Sequence, residues 1–289
     1  MIILNSVFLL ITVSSMILQN SLQNYVSKSF VKKTGDTYYF NMFVGIVCFV
    51  LFGLLTVFGG GMSPFTAVVG LLYGACLLLC TVTRMSALTC GPMHLTLLLS
   101  TSSMIIPAMS GAVMFGESFS LPKLAAIVLL IGFVYISVSP GEQGNKSVSK
   151  KWFILTFISF WLQGVLGILQ KLHQSSVYKS EAPGFLVAAF ACSLIFAAVA
   201  SRKNGHTEDL KKGFYITGIV CGITTFIMNY LNLILTGLLP SQLFFPLVNG
   251  SAFIFTSLVS VFVFKESITK KQLIGLLGGF ASLILICFV

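Results

Sequence analysis

Fifty-two consecutive residues, 213–264, contain no Asp, Glu, Lys or Arg. A second charge-free run covers residues 37–83. Segments like these cannot form a water-facing surface, whereas a helix crossing a ~30 Å hydrocarbon layer needs about 20 apolar residues. Each run is therefore long enough for two membrane helices. The whole chain agrees: 56% of its residues are hydrophobic, 8% are charged and its mean hydropathy is +1.00. Soluble domains carry about 25% charged residues. An ordinary soluble enzyme is thus excluded, and the wealth of apolar residues excludes a disordered chain.

Turn signals divide the apolar sequence into ten spans. GGGMSP at 59–64 splits the first long run, and CGPM at 90–93 separates a third span from a fourth. LLPSQ around Pro240 splits the second long run. The other spans are residues 1–27, 124–141, 152–170, 182–201 and 272–289. They are continuously apolar and do not alternate as the strands of a membrane β-barrel would. The first span lacks a basic leader and a small-residue cleavage site, so it reads as a retained helix. The seven cysteines (Cys48, Cys76, Cys80, Cys90, Cys192, Cys221 and Cys287) lie in apolar stretches without metal or disulfide spacing. They read as small buried hydrophobes.

The ten spans are related in pairs. FGESFSLPKLAAIVLL at 115–130 aligns with FKESITKKQLIGLLGG at 264–279, an offset of 149. An offset of 148 matches Gly74 with Gly222 and Pro92 with Pro240, and LQNSL at 18–22 meets LQGVL at 162–166. A duplicated unit of five helices re-enters the membrane from the opposite side, because five is odd. The expected fold is thus an all-α membrane protein of ten transmembrane helices in two inverted five-helix repeats. The repeats are residues 1–140 and 152–289, joined by a basic linker at 141–151. With its [GK]ES-x-[ST] element after helix four and again after helix nine, the sequence resembles the EamA-type ten-helix branch of the drug/metabolite transporter superfamily. That resemblance implies a transporter with a central cavity between the halves.

The net charge of +10 is no sign of nucleic-acid binding, since the 17 Lys and Arg sit mostly in short gaps between apolar runs. Fourteen of them fall in odd-numbered loops and three in even-numbered ones. The positive-inside rule then puts the odd loops in the cytoplasm and both termini outside. The resemblance implies the reverse.

All seven acids (Asp36, Glu117, Glu142, Glu181, Glu208, Asp209 and Glu266) fall in loops or near span ends. Small multidrug exporters of the same superfamily bind cations and protons on a membrane-embedded Glu, and no such group occurs here. Glu117 and Glu266 read as turn-locking acceptors. Arg84 is the one charge expected inside a span. It either snorkels to the interface or faces the cavity as a fixed cation for an anionic or zwitterionic solute. Its repeat mate is Asn232. Polar rows on other helices add Gln19 and Gln23, Gln163, Asn229 and Asn249. An unpaired amide in hydrocarbon costs several kcal/mol, so these groups need partners or water. The alternative is interhelical glue, worth about 0.6 kcal/mol each. Tyr73, Trp161, Tyr230, Phe244 and Phe245 neighbour them, and Trp152 reads as an interfacial anchor. The substrate-binding set expected from sequence is Gln19, Gln23, Arg84, Trp161, Gln163, Asn229 and Asn249.

The chain shows no catalytic triad, phosphate loop or metal spacing, so no enzyme activity, metal or cofactor is expected. The expected function is secondary-active transport of a small neutral, zwitterionic or anionic metabolite, such as an amino acid-like solute, with efflux as the direction. The expected setting is the bilayer of a bacterial plasma (inner) membrane, with a coupling ion or proton as a further partner. The alternatives are export of organic cations or drugs, or a non-transporting assembly or sensor protein.

Overall fold

The computed structural model describes residues 2–59, 61–91, 96, 99–100, 102–117, 121–136, 149–208, 210–262 and 270–288. Among the described residues the regular elements are helical. They are α1 (Ile2–Ser29), α2 (Thr34–Gly59), α3 (Pro64–Cys90), α4 (Ile105–Met114), α5 (Leu121–Ile136), α6 (Lys150–Gln174), a short 3₁₀ turn (Lys179–Glu181), α7 (Ala182–Asn204), α8 (Lys212–Leu238), α9 (Ser241–Phe262) and α10 (Lys270–Phe288). Seven of them, α1, α2, α3, α6, α7, α8 and α9, are long and apolar enough to cross a membrane. The chain is an all-α, multi-pass membrane protein. Among the described residues, α4, α5 and α10 carry shorter apolar stretches.

Local chemistry sets the helix ends. Ser63 caps α3, its Oγ accepting from Thr66 N at 3.3 Å, and Pro64 fills the first turn where no amide donor is needed. Ser149 caps α6 in the same way through Trp152 N, at 3.1 Å. α7 stops at Gly205, whose φ of +64° lies in the left-handed region that favours glycine. Away from the interior the helices present apolar side chains: Val57, Phe58, Val113, Phe262 and Phe288 are all more than three-quarters exposed. In water so apolar a surface would drive association, whereas lipid is its natural neighbour.

The helices pack across the chain more than along it. α2 packs on α7, α4 on α9 and α5 on α10. α3 packs on α6 and α7, while α8 packs on α1 and α2. α1 meets α9, and α6 meets α4. Two large apolar clusters result, beside a small one at Leu78, Val82 and Ala197. One gathers α2, α3, α7 and α8 around Phe40, Phe52, Phe185 and Phe214, and the other gathers α4, α5, α9 and α10 around Ile127, Leu130, Phe244 and Val248. Glycines permit the closest approaches. A Cβ at Gly74 would collide with the Ala189 carbonyl on α7, and one at Gly222 would lie 2.7 Å from Val47 Cβ on α2. Small residues at such crossings let the backbones touch, which drives helix association in lipid.

Two carboxylates tie distant loops together. Asp36, fully buried at the start of α2, accepts from Lys32 N and Lys33 N at 2.9 Å each. It also accepts from Thr207 N at 2.7 Å and Thr207 Oγ1 at 3.0 Å, ahead of α8. At the opposite end of α2, Glu181 accepts from Ser63 N and Ser63 Oγ at 2.8 Å each, and from Thr66 Oγ1 at 2.5 Å.

Trp152 departs from the sequence expectation of an interfacial anchor. It is 4% exposed, its Nε1 donates to Thr96 Oγ1 at 2.9 Å, and its indole fills the space that a side chain at Gly91 would need. The proximity of Trp152 to a span end hides the slot that Gly91 opens for it.

Gly74→Leu should lower the thermal unfolding midpoint in detergent by ~6–12 °C, taking the upper part of the overpacking range. Gly53→Leu, where an added Cβ meets nothing within 4 Å, should shift it by no more than ~2 °C. Equal shifts would mean that α3 and α7 do not make backbone contact.

Candidate functional site

Six helices turn polar faces toward the seam between the two apolar clusters. They enclose a cavity of about 60 Å³, room for a handful of waters at ~10–15 Å³ each. α1 supplies Gln19; α3 supplies Tyr73, Cys80, Thr81 and Arg84. Ser103 and Pro107 come from the start of α4, Gln163 and Gln170 from α6, Asn229 and Asn232 from α8, and Phe245 and Asn249 from α9. Helical periodicity explains the grouping. Tyr73, Cys80 and Arg84 are seven and four residues apart, Gln163 and Gln170 are seven apart, and Asn229 and Asn232 are three apart, so each set shares one face.

A chain of amides and hydroxyls links four of these helices. Gln170 Nε2 donates to Tyr73 Oη at 2.9 Å, and Tyr73 Oη donates to Asn229 Oδ1 at 3.0 Å. Asn229 Nδ2 donates to Thr225 O at 2.9 Å, and Gln19 Nε2 donates to Thr225 Oγ1 at 2.7 Å. Cys80 Sγ donates to Gln163 Oε1 at 3.3 Å, and Asn249 Nδ2 donates to Phe245 O at 2.9 Å. Arg84 Nη2 donates to Gln23 Oε1 at 2.8 Å. Arg84 Nε and Asn232 Oδ1 are buried and have no partner.

Of the residues expected from sequence, Gln19, Arg84, Gln163, Asn229 and Asn249 line the cavity. Gln23 is buried behind Arg84 and holds it. Trp161 lies elsewhere: it is 51% exposed and packs on Phe157 and Phe160 along the outer side of α6. Two residues along a helix is about 200° of rotation, so a neighbour of Gln163 at that spacing points away from it. Among the aromatics, Tyr73 and Phe245 reach the cavity. Phe244 belongs to an apolar cluster, and Tyr230 stacks on Phe226. Asn232, Gln170, Cys80, Thr81 and Ser103 were not in the expected set. Stepping back one turn from Arg84 and one heptad on from Gln163 finds three of them. His94 and Glu266 lie outside the described residues.

Just beyond the cavity, next to Gln170, a second polar cluster closes the end that carries the even-numbered loops. Lys171 Nζ lies 2.5 Å from Glu117 Oε1 and donates to Thr236 O at 3.2 Å. Glu117 also accepts from Ser241 N at 2.7 Å and Ser241 Oγ at 3.2 Å. The acid thus joins α4 to α6 and to the first turn of α9, where a carboxylate satisfies an otherwise unpaired amide. It locks a junction between distant helices more than its own turn. His173, two residues beyond Lys171, is fully buried between Thr66 Oγ1 (3.4 Å) and Gln174 Nε2 (3.3 Å). Among the described residues no group of three or more His, Cys, Asp or Glu could hold a metal ion.

The architecture recurs in a solved structure. A chain described only as "Crystal structure of protein" superposes with a TM-score of 0.70 over 97% of this chain and 98% of its own, at 15% sequence identity. The two share a fold. No protein-family model matches the sequence. No curated protein matches it either.

Lys171→Met leaves the Glu117 carboxylate without its cation and should destabilise the protein by ~3 kcal/mol in denaturant titrations in detergent. Adding Glu117→Gln to it should restore most of that loss. Additive losses in the double variant would show that the pair contributes no coupling.

Proposed function

We propose that this chain is a secondary-active transporter of a small polar metabolite, in the efflux direction, in a bacterial plasma membrane. In this reading ten helices cross the bilayer as two inverted five-helix repeats, residues 1–140 and 152–289, joined by the linker at 141–151. The kinship would be with the EamA-type branch of the drug/metabolite transporters. Transport proceeds by alternating access, the halves rocking about the cavity.

The observation that carries this reading is the cavity's lining. It comes from α1, α3 and α4 and from α6, α8 and α9, and α2, α5, α7 and α10 give it none of its lining residues. Those two triplets are the same helices counted from the start of each repeat. A polar site at a repeat interface is the arrangement alternating access needs. The packing supports the same relation. Exchanging each helix for its counterpart five places on turns the α3–α7 contact into α8–α2, α3–α6 into α8–α1, and α1–α9 into α6–α4, all of which occur. The loop carboxylates fit too. Glu181 stands 145 residues after Asp36, and Thr207 stands 144 after Ser63. Each acid grips a Ser or Thr of the other half, at opposite ends of α2. Gly74 and Gly222, matched at an offset of 148, each admit a helix of the opposite half.

The test is solute counterflow. Purified protein in liposomes preloaded with an unlabelled metabolite should accumulate the same radiolabelled metabolite transiently above equilibrium. A broad panel of amino acids, organic acids, nucleobases and amines that gives no counterflow, from protein that binds one of them, would contradict the reading.

A further inference from the structure

We infer that the solute carries one negative charge, a carboxylate, and that Arg84 receives it. The inference deepens the transport reading and rests on it for the word "transported"; the binding claim stands on the cavity alone.

Arg84 lines the cavity and is 9% exposed. A guanidinium cannot shed its proton in a protein, so its burial cannot be relieved by deprotonation. Burying an unpaired ion is strongly unfavourable, and buried charges are therefore paired or bound to something. The one hydrogen bond of Arg84 among the described residues goes to the neutral Gln23 amide, and its Nε has no acceptor. Among the described residues, three carboxylates are engaged elsewhere. Asp36 holds Thr207, Glu181 holds Ser63, and Glu117 holds Lys171 and Ser241. Each of these bonds lies at a loop or a helix end. The cavity is left with a fixed positive charge and an unfilled donor, and Gln23 keeps the fork from folding away.

The form of the guanidinium selects the ligand. One cation balances a monoanion, whereas a phosphate monoester carries ~1.5–2 charges and would leave an excess. The planar guanidinium fork matches the two oxygens of a carboxylate. An ammonium or quaternary amine would meet a like charge. The remaining polar groups of the cavity are neutral amides and hydroxyls, among them the unpartnered Asn232 Oδ1, which accepts a donor from the body of the solute.

The probes are propionate, butyrate, lactate, benzoate and phenylacetate, each set against its primary amide and against a quaternary ammonium ion of similar size. Binding is read by thermal shift and calorimetry on purified protein in detergent. At least one carboxylate should bind, its amide should bind at least tenfold more weakly, and the ammonium ions should not bind. Arg84→Gln should weaken that carboxylate at least tenfold. Arg84→Lys, which keeps the charge and loses the fork, should fall between. The amide comparison needs no variant, so a misfolded Arg84→Gln does not spare the proposal. Failure of every carboxylate to bind, amides binding as well as acids, or acids indifferent to Arg84→Gln would overturn it. Carboxylate binding without counterflow would refute transport and uphold the receptor role of Arg84. Counterflow of amines with no carboxylate binding would do the reverse.

Discussion

Hydrocarbon offers no hydrogen-bond partner, so each polar group that a membrane helix carries must find one inside the protein. This constraint organises the interior of the molecule. The amides of α1, α6 and α8 and the hydroxyl of Tyr73 meet in one connected chain, from Gln170 through Tyr73 and Asn229 to Thr225 and Gln19. Rotating any of these helices by half a turn would strand its amides against lipid. The network therefore fixes helix rotation, which packing between uniformly greasy surfaces does poorly. Among the described residues, buried side-chain atoms without a partner occur beside the cavity, at Arg84 Nε and Asn232 Oδ1, and away from it, at Asn24, Ser27, Ser100, Thr256 and Ser257.

The acids are used with similar economy. Among the described residues, Asp36, Glu117 and Glu181 each sit where backbone amides of a loop or a first helical turn would otherwise lack acceptors. A carboxylate there satisfies several donors at once and joins elements far apart in sequence. With these acids at the junctions, Arg84 has no carboxylate partner among the described residues. Scaffold and site are thus coupled through the placement of charge as well as through packing.

Much of the fold is legible in the sequence, because charge-free length is a strong signal when the solvent is lipid. The boundaries at Pro64 and Pro240 follow from turn chemistry. The polar faces of α6 and α8 follow from seven- and three-residue spacings. What fails is azimuth and partner. Trp161 stands two residues from Gln163 and faces outward, and Trp152 stands at a helix start and faces inward because Gly91 leaves it room. Gln23 belongs to the right row but serves Arg84 instead of the cavity. The roles of Glu117, Asp36 and Glu181 depend on contacts across 118 to 171 residues of chain, which no local pattern encodes.

The proposed alternating access requires two halves that move about a central wet pocket. Electron-electron distances between spin labels test that directly in protein reconstituted in nanodiscs. One pair, Val113→Cys with Val177→Cys, reports on the end sealed by Glu117 and Lys171; the other, Lys33→Cys with Lys270→Cys, reports on the opposite end. A bound solute should shift the two distance distributions in opposite senses, one end opening as the other closes. Distributions that stay fixed, or widen together, would contradict the account.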